Sequence, residues 1–227
     1  MIDIITKNKS KILTALLLIT IGITGRLTLS KILPTSPQIY LNIAETTQPL
    51  FMMDLFFLIA IISLLSGLIL GSYYAFIIPI TVMTITDVIM GNNYILLFTW
   101  SGFAMIGIIG YILKTKNKFK INKTPTLFAA GIGSILLYDL WTNFGSWLGW
   151  YPHTIQGLTT CYIVSLPFTL WHILSTTIAM TLTIIPITYL KEKQIFNLDY
   201  TVKRKEKPIT AALLASIMIL SIISAIL

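Results

Sequence analysis

Apolar residues fall in long, nearly uninterrupted blocks along the chain, and block length predicts the architecture. A helix rising about 1.5 Å per residue needs roughly 20 apolar residues to cross a hydrocarbon core about 30 Å thick. Such runs occur at 12–29, 50–70, 73–90, 94–113, 125–144, 164–190 and 208–227, which predicts seven spans. Thr124 followed by Pro125 predicts the start of the fifth, with the threonine as cap and the proline where its missing N–H is no loss. Pro79 and Pro186 lie inside the third and sixth spans and predict kinks there. Short breaks at 71–73 and 91–93 make their flanking helices antiparallel neighbours. The pattern carries no internal repeat. The predicted fold is an all-α, polytopic transmembrane helix bundle, with a six-helix core over 1–190. A basic cytoplasmic loop and a seventh, C-terminal helix follow over 191–227.

Composition agrees with the blocks. Of the 227 residues, 56% are hydrophobic, and the mean hydropathy is +0.85, well beyond what a soluble domain carries. A net charge of +8 would suggest nucleic acid in a soluble protein. Here the lysines flank apolar runs, so they predict orientation and contact with anionic lipid instead, with no nucleic-acid partner. Placing the N-terminus inside puts 14 of the 16 basic residues on that side: Lys7, Lys9 and Lys11, then Lys114 to Lys123, then Lys191 to Lys207. With seven spans the C-terminus is then outside a cytoplasmic membrane. The lysines before the first span resemble a signal peptide, but no small-x-small cleavage site follows, so that span is read as retained. The single cysteine, Cys161, excludes an intramolecular disulfide and a cysteine-rich metal site, and is expected only to pack.

Ionisable residues inside spans are costly and face a partner or a cavity. Counting from the inner helix ends at 1.5 Å per residue places Asp87 and Asp139 roughly 21 Å up, and Arg26, Asp54 and His172 at roughly 22–27 Å. All five fall in the outer third, predicting one shared polar chamber. Asp139, Thr142, Asn143 and Ser146 share a helical face, as do Ser165, Thr169, His172, Thr176 and Thr183, and also Thr84, Asp87 and Gly91. Four of the five tryptophans lie between Asp139 and His172. They predict either an interfacial belt or a ring of indoles around the chamber, suited to a flat or partly apolar ligand. The stretch Gly145–Gly157, with glycines at 145, 149 and 157 and no lysine, predicts a lid. Ser63, Gly67 and Gly71, Ala129 and Gly133, and Ala211 and Ala215 are spaced four apart and predict close helix contacts.

No HExxH, nucleotide-binding loop, serine–histidine–aspartate motif or conducting filter is present. Residues after Lys207 contain no lysine for a retinal Schiff base. No metal site and no cofactor are predicted.

An arginine ending the first span, an outer loop with Pro34, Pro37 and Asn42, TDVIMGN at 86–92, TNFGSWL at 142–148, and YPHTIQGLTTCY at 151–162 with SLPF at 165–168 occur in that order. From about Arg26 to Thr177 this resembles an uncharacterised bacterial and archaeal membrane family grouped with the substrate-binding (S) components of energy-coupling factor transporters. The resemblance implies a compact six-helix protein that captures a vitamin-like micronutrient or a metal ion from outside, driven by a transmembrane coupling subunit and cytoplasmic ATPases. The first helix departs from that pattern by lacking an Ala-x-x-x-Ala face, and a seventh apolar segment is added. The resulting expectation is a small-molecule capture component rather than an enzyme. Its pocket is drawn from Arg26, Asp87, Asp139, Asn143, Trp147, Tyr151, Tyr162 and His172. The alternatives are a structural or assembly subunit, and an integral membrane enzyme using His172 and Asp139 as acid and base.

Overall fold

The computed structural model describes residues 2–36, 38–43, 45–91, 93–195 and 206–226. Among these residues the chain is an all-α bundle of seven helices: α1 (Ile2–Leu29), α2 (Phe56–Leu65), α3 (Ser72–Met90), α4 (Leu96–Thr115), α5 (Thr124–Trp150), α6 (Ile155–Glu192) and α7 (Glu206–Ile226). Six are long and apolar enough to cross a membrane, as expected of a multi-pass membrane protein. Pro37, Asn92 and residues 196–205 of the basic segment lie outside the described residues.

The second span is the exception in length. Its helix is Phe56–Leu65, extended by a π turn over Ser66–Leu70, while the preceding residues 51–54 are not helical. Every residue from Ile59 to Leu70 is buried. A helix apolar on all sides belongs in the interior, and α2 packs against α1, α3, α4 and α6 at the centre of the bundle. Two glycine crossings bring backbones together there. A Cβ at Gly67 would lie 2.0 Å from the Gly107 carbonyl oxygen, and one at Gly110 would lie 2.3 Å from that of Leu64. Pro79 has no N–H for the carbonyl of Ala75, four residues earlier. The Gly107 backbone packs against that carbonyl, where a Cβ would stand at 2.1 Å.

The fifth and sixth spans are longer than the hydropathy blocks, and nothing resembling a lid separates them. Helix α5 continues to Trp150, and α6 begins at Ile155, where Thr154 caps it by accepting from the Gly157 N–H at 3.0 Å. The three glycines are packing positions rather than joints. A Cβ would lie 2.5 Å from the Phe98 ring at Gly145, 1.9 Å from the Tyr94 hydroxyl at Gly149 and 2.1 Å from the Pro152 carbonyl at Gly157. At the other end of α5, Thr124 is already helical and donates to the Ile121 carbonyl at 2.6 Å, so it does not cap. Ala129 and Gly133 are exposed, and Gly133 has nothing near its Cβ position, so this pair forms no close helix contact. Gly131 instead packs against Met180.

An antiparallel hairpin, Tyr40–Ile43 with Thr46–Pro49, precedes α2. It is tied to α6 through a gap left by proline. Pro167 offers no N–H to the Ile163 carbonyl, and Gln48 fills that place by donating to it at 2.7 Å. The Met52 N–H adds a bond to the Pro167 carbonyl at 3.1 Å.

Basic residues gather at one end of the bundle. Lys11 lies over the Tyr74 ring, Lys114 donates to the Ile69 carbonyl, and Lys191 lies over Phe119. Arg26, the hairpin and the tryptophans occupy the other end.

Candidate functional site

Two clusters of intramembrane polar groups form at the tryptophan-bearing end. In the first, Arg26 on α1 meets Asp87 on α3, with Nη1 2.5 Å from Oδ1, and also contacts the hydroxyl of Thr86. The indole N–H of Trp100 on α4 donates to the other carboxylate oxygen at 2.6 Å. Asp87 is therefore buried with both oxygens engaged, and the pair joins three helices. Thr86, not Thr84, shares the arginine, and Gly91 is exposed. The supposed Thr84–Asp87–Gly91 stripe thus does not act as one polar face.

The second cluster centres on His172 of α6. Its Nδ1 lies 2.7 Å from Asp139 Oδ1 on α5, and its Nε2 lies 2.9 Å from Asp54 Oδ2, two residues before α2. Carboxylates only accept hydrogen bonds, so donation from both ring nitrogens describes an imidazolium held between two aspartates. The Phe56 ring stacks on it with centroids 4.0 Å apart, a favourable face for a cation. Asp54 is fixed in turn: its Oδ1 accepts from the Phe56 N–H at 3.0 Å, and its backbone carbonyl accepts from the Trp171 indole at 2.9 Å. Depth counting brings Asp54 to this level. Its place before α2, rather than within a helix, is what only the fold supplies.

Two cavities flank Tyr138 and Thr99, which line both. The first, about 420 Å³, is lined by Arg26, Asp54, Phe56 and apolar residues including Leu33, Met83 and Met90. The second, about 390 Å³, lies between α5 and α6 and is lined by Asp139, Thr142, Asn143, Ser146, Tyr151 and His172, among others. The single chamber expected from depth is thus divided. Arg26 lines one half, while Asp139, Asn143, Tyr151 and His172 line the other. Asp87 lies behind Arg26 and lines neither. Trp147 and Tyr162 also stay outside both linings. Trp147 donates to the Pro152 carbonyl at 3.0 Å, and Tyr162 donates to that of Leu140 at 2.8 Å.

The indoles do not ring a chamber. Trp100, Trp141, Trp147 and Trp171 each donate to a protein acceptor, and Trp150 lines the second cavity. The α5 face is as expected: Asp139, Thr142, Asn143 and Ser146 all line the second cavity, and Ser165 faces them from α6. Cys161 is buried and also lines it, its thiol donating to the Asn143 carbonyl at 3.4 Å. In the α5–α6 link, desolvation pushes the Tyr151 hydroxyl above its ordinary value, and nearby Cys161 adds to this, so it stays a protonated donor.

Asp139 Oδ2 is buried and accepts no hydrogen bond. Among the described residues Gln48 Oε1 and the hydroxyls of Tyr111 and Thr176 are similarly unpartnered. Only the Asp139 atom belongs to a charged group, for which the desolvation cost is largest.

Residues 6–198 match the model of a family of unknown function, DUF6580, and the chain belongs to that family. No curated protein and no solved structure matches it.

Proposed function

We propose that this member of the family is a substrate-capture component of a membrane importer, similar in role to the S components of energy-coupling factor transporters. It would take a small micronutrient into the α5–α6 cavity. The observation that carries this reading is Asp139, which lines a 390 Å³ cavity and holds one carboxylate oxygen buried without a hydrogen-bond partner. Cavities of about 300–1,000 Å³ with few polar groups suit small ligands, and a buried charged atom without a partner calls for one. Both nitrogens of His172 are committed to aspartates, which favours a role in holding charge over acid–base catalysis. The chain carries no nucleotide-binding motif, so energy would come from a separate coupling subunit with cytoplasmic ATPases. The clustering of lysines at one end supports a cytoplasmic membrane with the N-terminus inside, the C-terminus outside and the cavities toward the outside.

Native mass spectrometry of gently extracted protein tests the reading. A small molecule should be retained by the wild type and lost from Asp139→Asn, a change that removes a charge-assisted bond of about 1.5–3 kcal/mol, or about a tenfold to hundredfold loss of affinity. Wild-type protein that carries and acquires no small molecule would overturn capture. A structural-subunit reading draws on the Arg26–Asp87–Trp100 cluster, which is satisfied without a ligand. It expects Asp139→Asn to lower thermal stability and leave nothing else changed.

A further inference from the structure

We infer that the α5–α6 cavity is built for an organic monocation, a protonated amine or an amidinium group, and not for an anion, a neutral polar molecule or a metal ion. This rests on the capture reading and names the chemical class of its substrate.

The argument begins with hydrogen-bond direction. A hydroxyl has one hydrogen and two lone pairs, and the hydrogens of the serine and threonine hydroxyls along this wall are already committed to helix carbonyls. Thr142 donates to Tyr138 at 3.1 Å, Ser146 to Thr142 at 3.1 Å, Ser165 to Tyr162 at 2.9 Å and Thr99 to Leu96 at 2.8 Å. What they present to the cavity is lone pairs. Asn143 follows from the same logic. Ser165 has no hydrogen left to give, so the 2.8 Å contact between them requires one Asn143 side-chain N–H to donate, which leaves the side-chain carbonyl oxygen and the second N–H. Asp139 Oδ2 is an acceptor without a donor. The serine, threonine and aspartate groups of the wall therefore present acceptors, beside the donors of Tyr138, Tyr151 and the second Asn143 N–H, and the complementary occupant of the α5 face is rich in donors.

Charge points the same way. Arg26 and His172 bring two positive charges, and Asp54, Asp87 and Asp139 bring three negative ones, joined by the bonds described. The balance is one negative charge, and the unpartnered oxygen belongs to Asp139. An anion would meet repulsion there, and a neutral guest would leave a buried charge uncompensated. The first cavity lacks this character, because Arg26 and Asp54, which line it, are already paired with Asp87 and His172. Among the described residues no group of three or more histidine, cysteine, aspartate or glutamate side chains could hold a metal ion. Tyr138, Trp150, Tyr151 and Phe168 line the remainder. They give aromatic faces that attract cations and apolar area for an organic body.

The test uses one carbon skeleton with three head groups: 2-phenylethylammonium, 2-phenylethanol and phenylacetate, added at millimolar concentration to the full chain in lipid nanodiscs. Thermal stability and tryptophan fluorescence are the readouts. The ammonium compound should raise the melting temperature and perturb fluorescence, and the alcohol and carboxylate should not. Ser146→Ala should weaken ammonium binding a few-fold, and Asp139→Asn at least tenfold. The serine variant keeps the test usable if the aspartate variant does not fold. Equal binding of the alcohol or carboxylate, undiminished ammonium binding in a folded Asp139→Asn protein, an equal effect of potassium chloride alone, or no binding of any probe would overturn the proposal. An anionic or neutral molecule retained in native mass spectrometry would overturn it too, while leaving capture standing.

Discussion

At the residue scale, two charged clusters differ in what their loss should do. Arg26→Gln would take from Asp87 its charged partner while the Trp100 indole bond remains. Breaking a buried pair from one side costs about 3–5 kcal/mol, so thermal denaturation in detergent should show a large loss of stability whether or not a ligand is present. Glycines offer a second contrast. Gly145→Ala drives a methyl group to 2.5 Å from the ring of fully buried Phe98, and overpacking of this kind costs about 1–3 kcal/mol. Gly133→Ala meets open space and gains helix propensity, worth up to about 1 kcal/mol. Melting temperatures of the two variants should therefore move in opposite directions. If both fall, Gly133 has a neighbour that the bundle does not show. The residues of the α5 face were legible from helical spacing alone, since period and side-chain type sufficed to align Asp139 with Asn143. The partition of charges was not. Spacing along one helix says nothing of which neighbour a carboxylate meets, and so Asp87 and Asp139 looked alike in sequence but have different surroundings.

At the scale of elements, proline decides how the hairpin is attached. Gln48→Leu should leave the Ile163 carbonyl without a donor, at a cost of about 1–3 kcal/mol. Pro167→Ala should relieve that cost by restoring an N–H at position 167. The double variant should thus be more stable than Gln48→Leu alone; additive losses would show that the glutamine acts by other means. Hydropathy read the existence of each helix correctly because burial in lipid and burial in protein both demand apolar side chains. The ends were harder. Helix α5 passes through Asn143, Ser146 and two packed glycines without breaking, because these residues are held by tertiary contacts that local propensity does not include. The start of α6 was written in the chain at Thr154, a capping residue directly before Ile155, but the aromatic and glycine content of the surrounding stretch outweighed it. The hairpin was missed for a plainer reason: strands of four residues carry too little alternation to stand out from a loop.

For the whole molecule, the proposed orientation makes its own forecast. In a background lacking Cys161, a cysteine near Tyr151 should react with a membrane-impermeant reagent added outside, and one near Lys118 should not. The reverse pattern would invert the topology and turn the cavities inward.

The unequal helix lengths carry a consequence for the surrounding lipid. At 1.5 Å per residue, the 15 residues of Phe56–Leu70 reach about 22 Å and the 38 of α6 about 57 Å, against a hydrocarbon core of about 30 Å. The short element touches little lipid, because its neighbours enclose it, and the long one extends past the core and ends among charged residues. Neither should sense bilayer thickness strongly. That leaves the apolar stretches Lys9–Leu29, Tyr73–Met90 and Pro208–Ala225, at 18 to 21 residues or about 27–32 Å, to set the hydrophobic match. Reconstituted into phosphatidylcholines of increasing acyl length, the protein should be most stable where the core is near that thickness. Stability should decline on both sides as these outer helices tilt or stretch, while the buried centre keeps its glycine contacts.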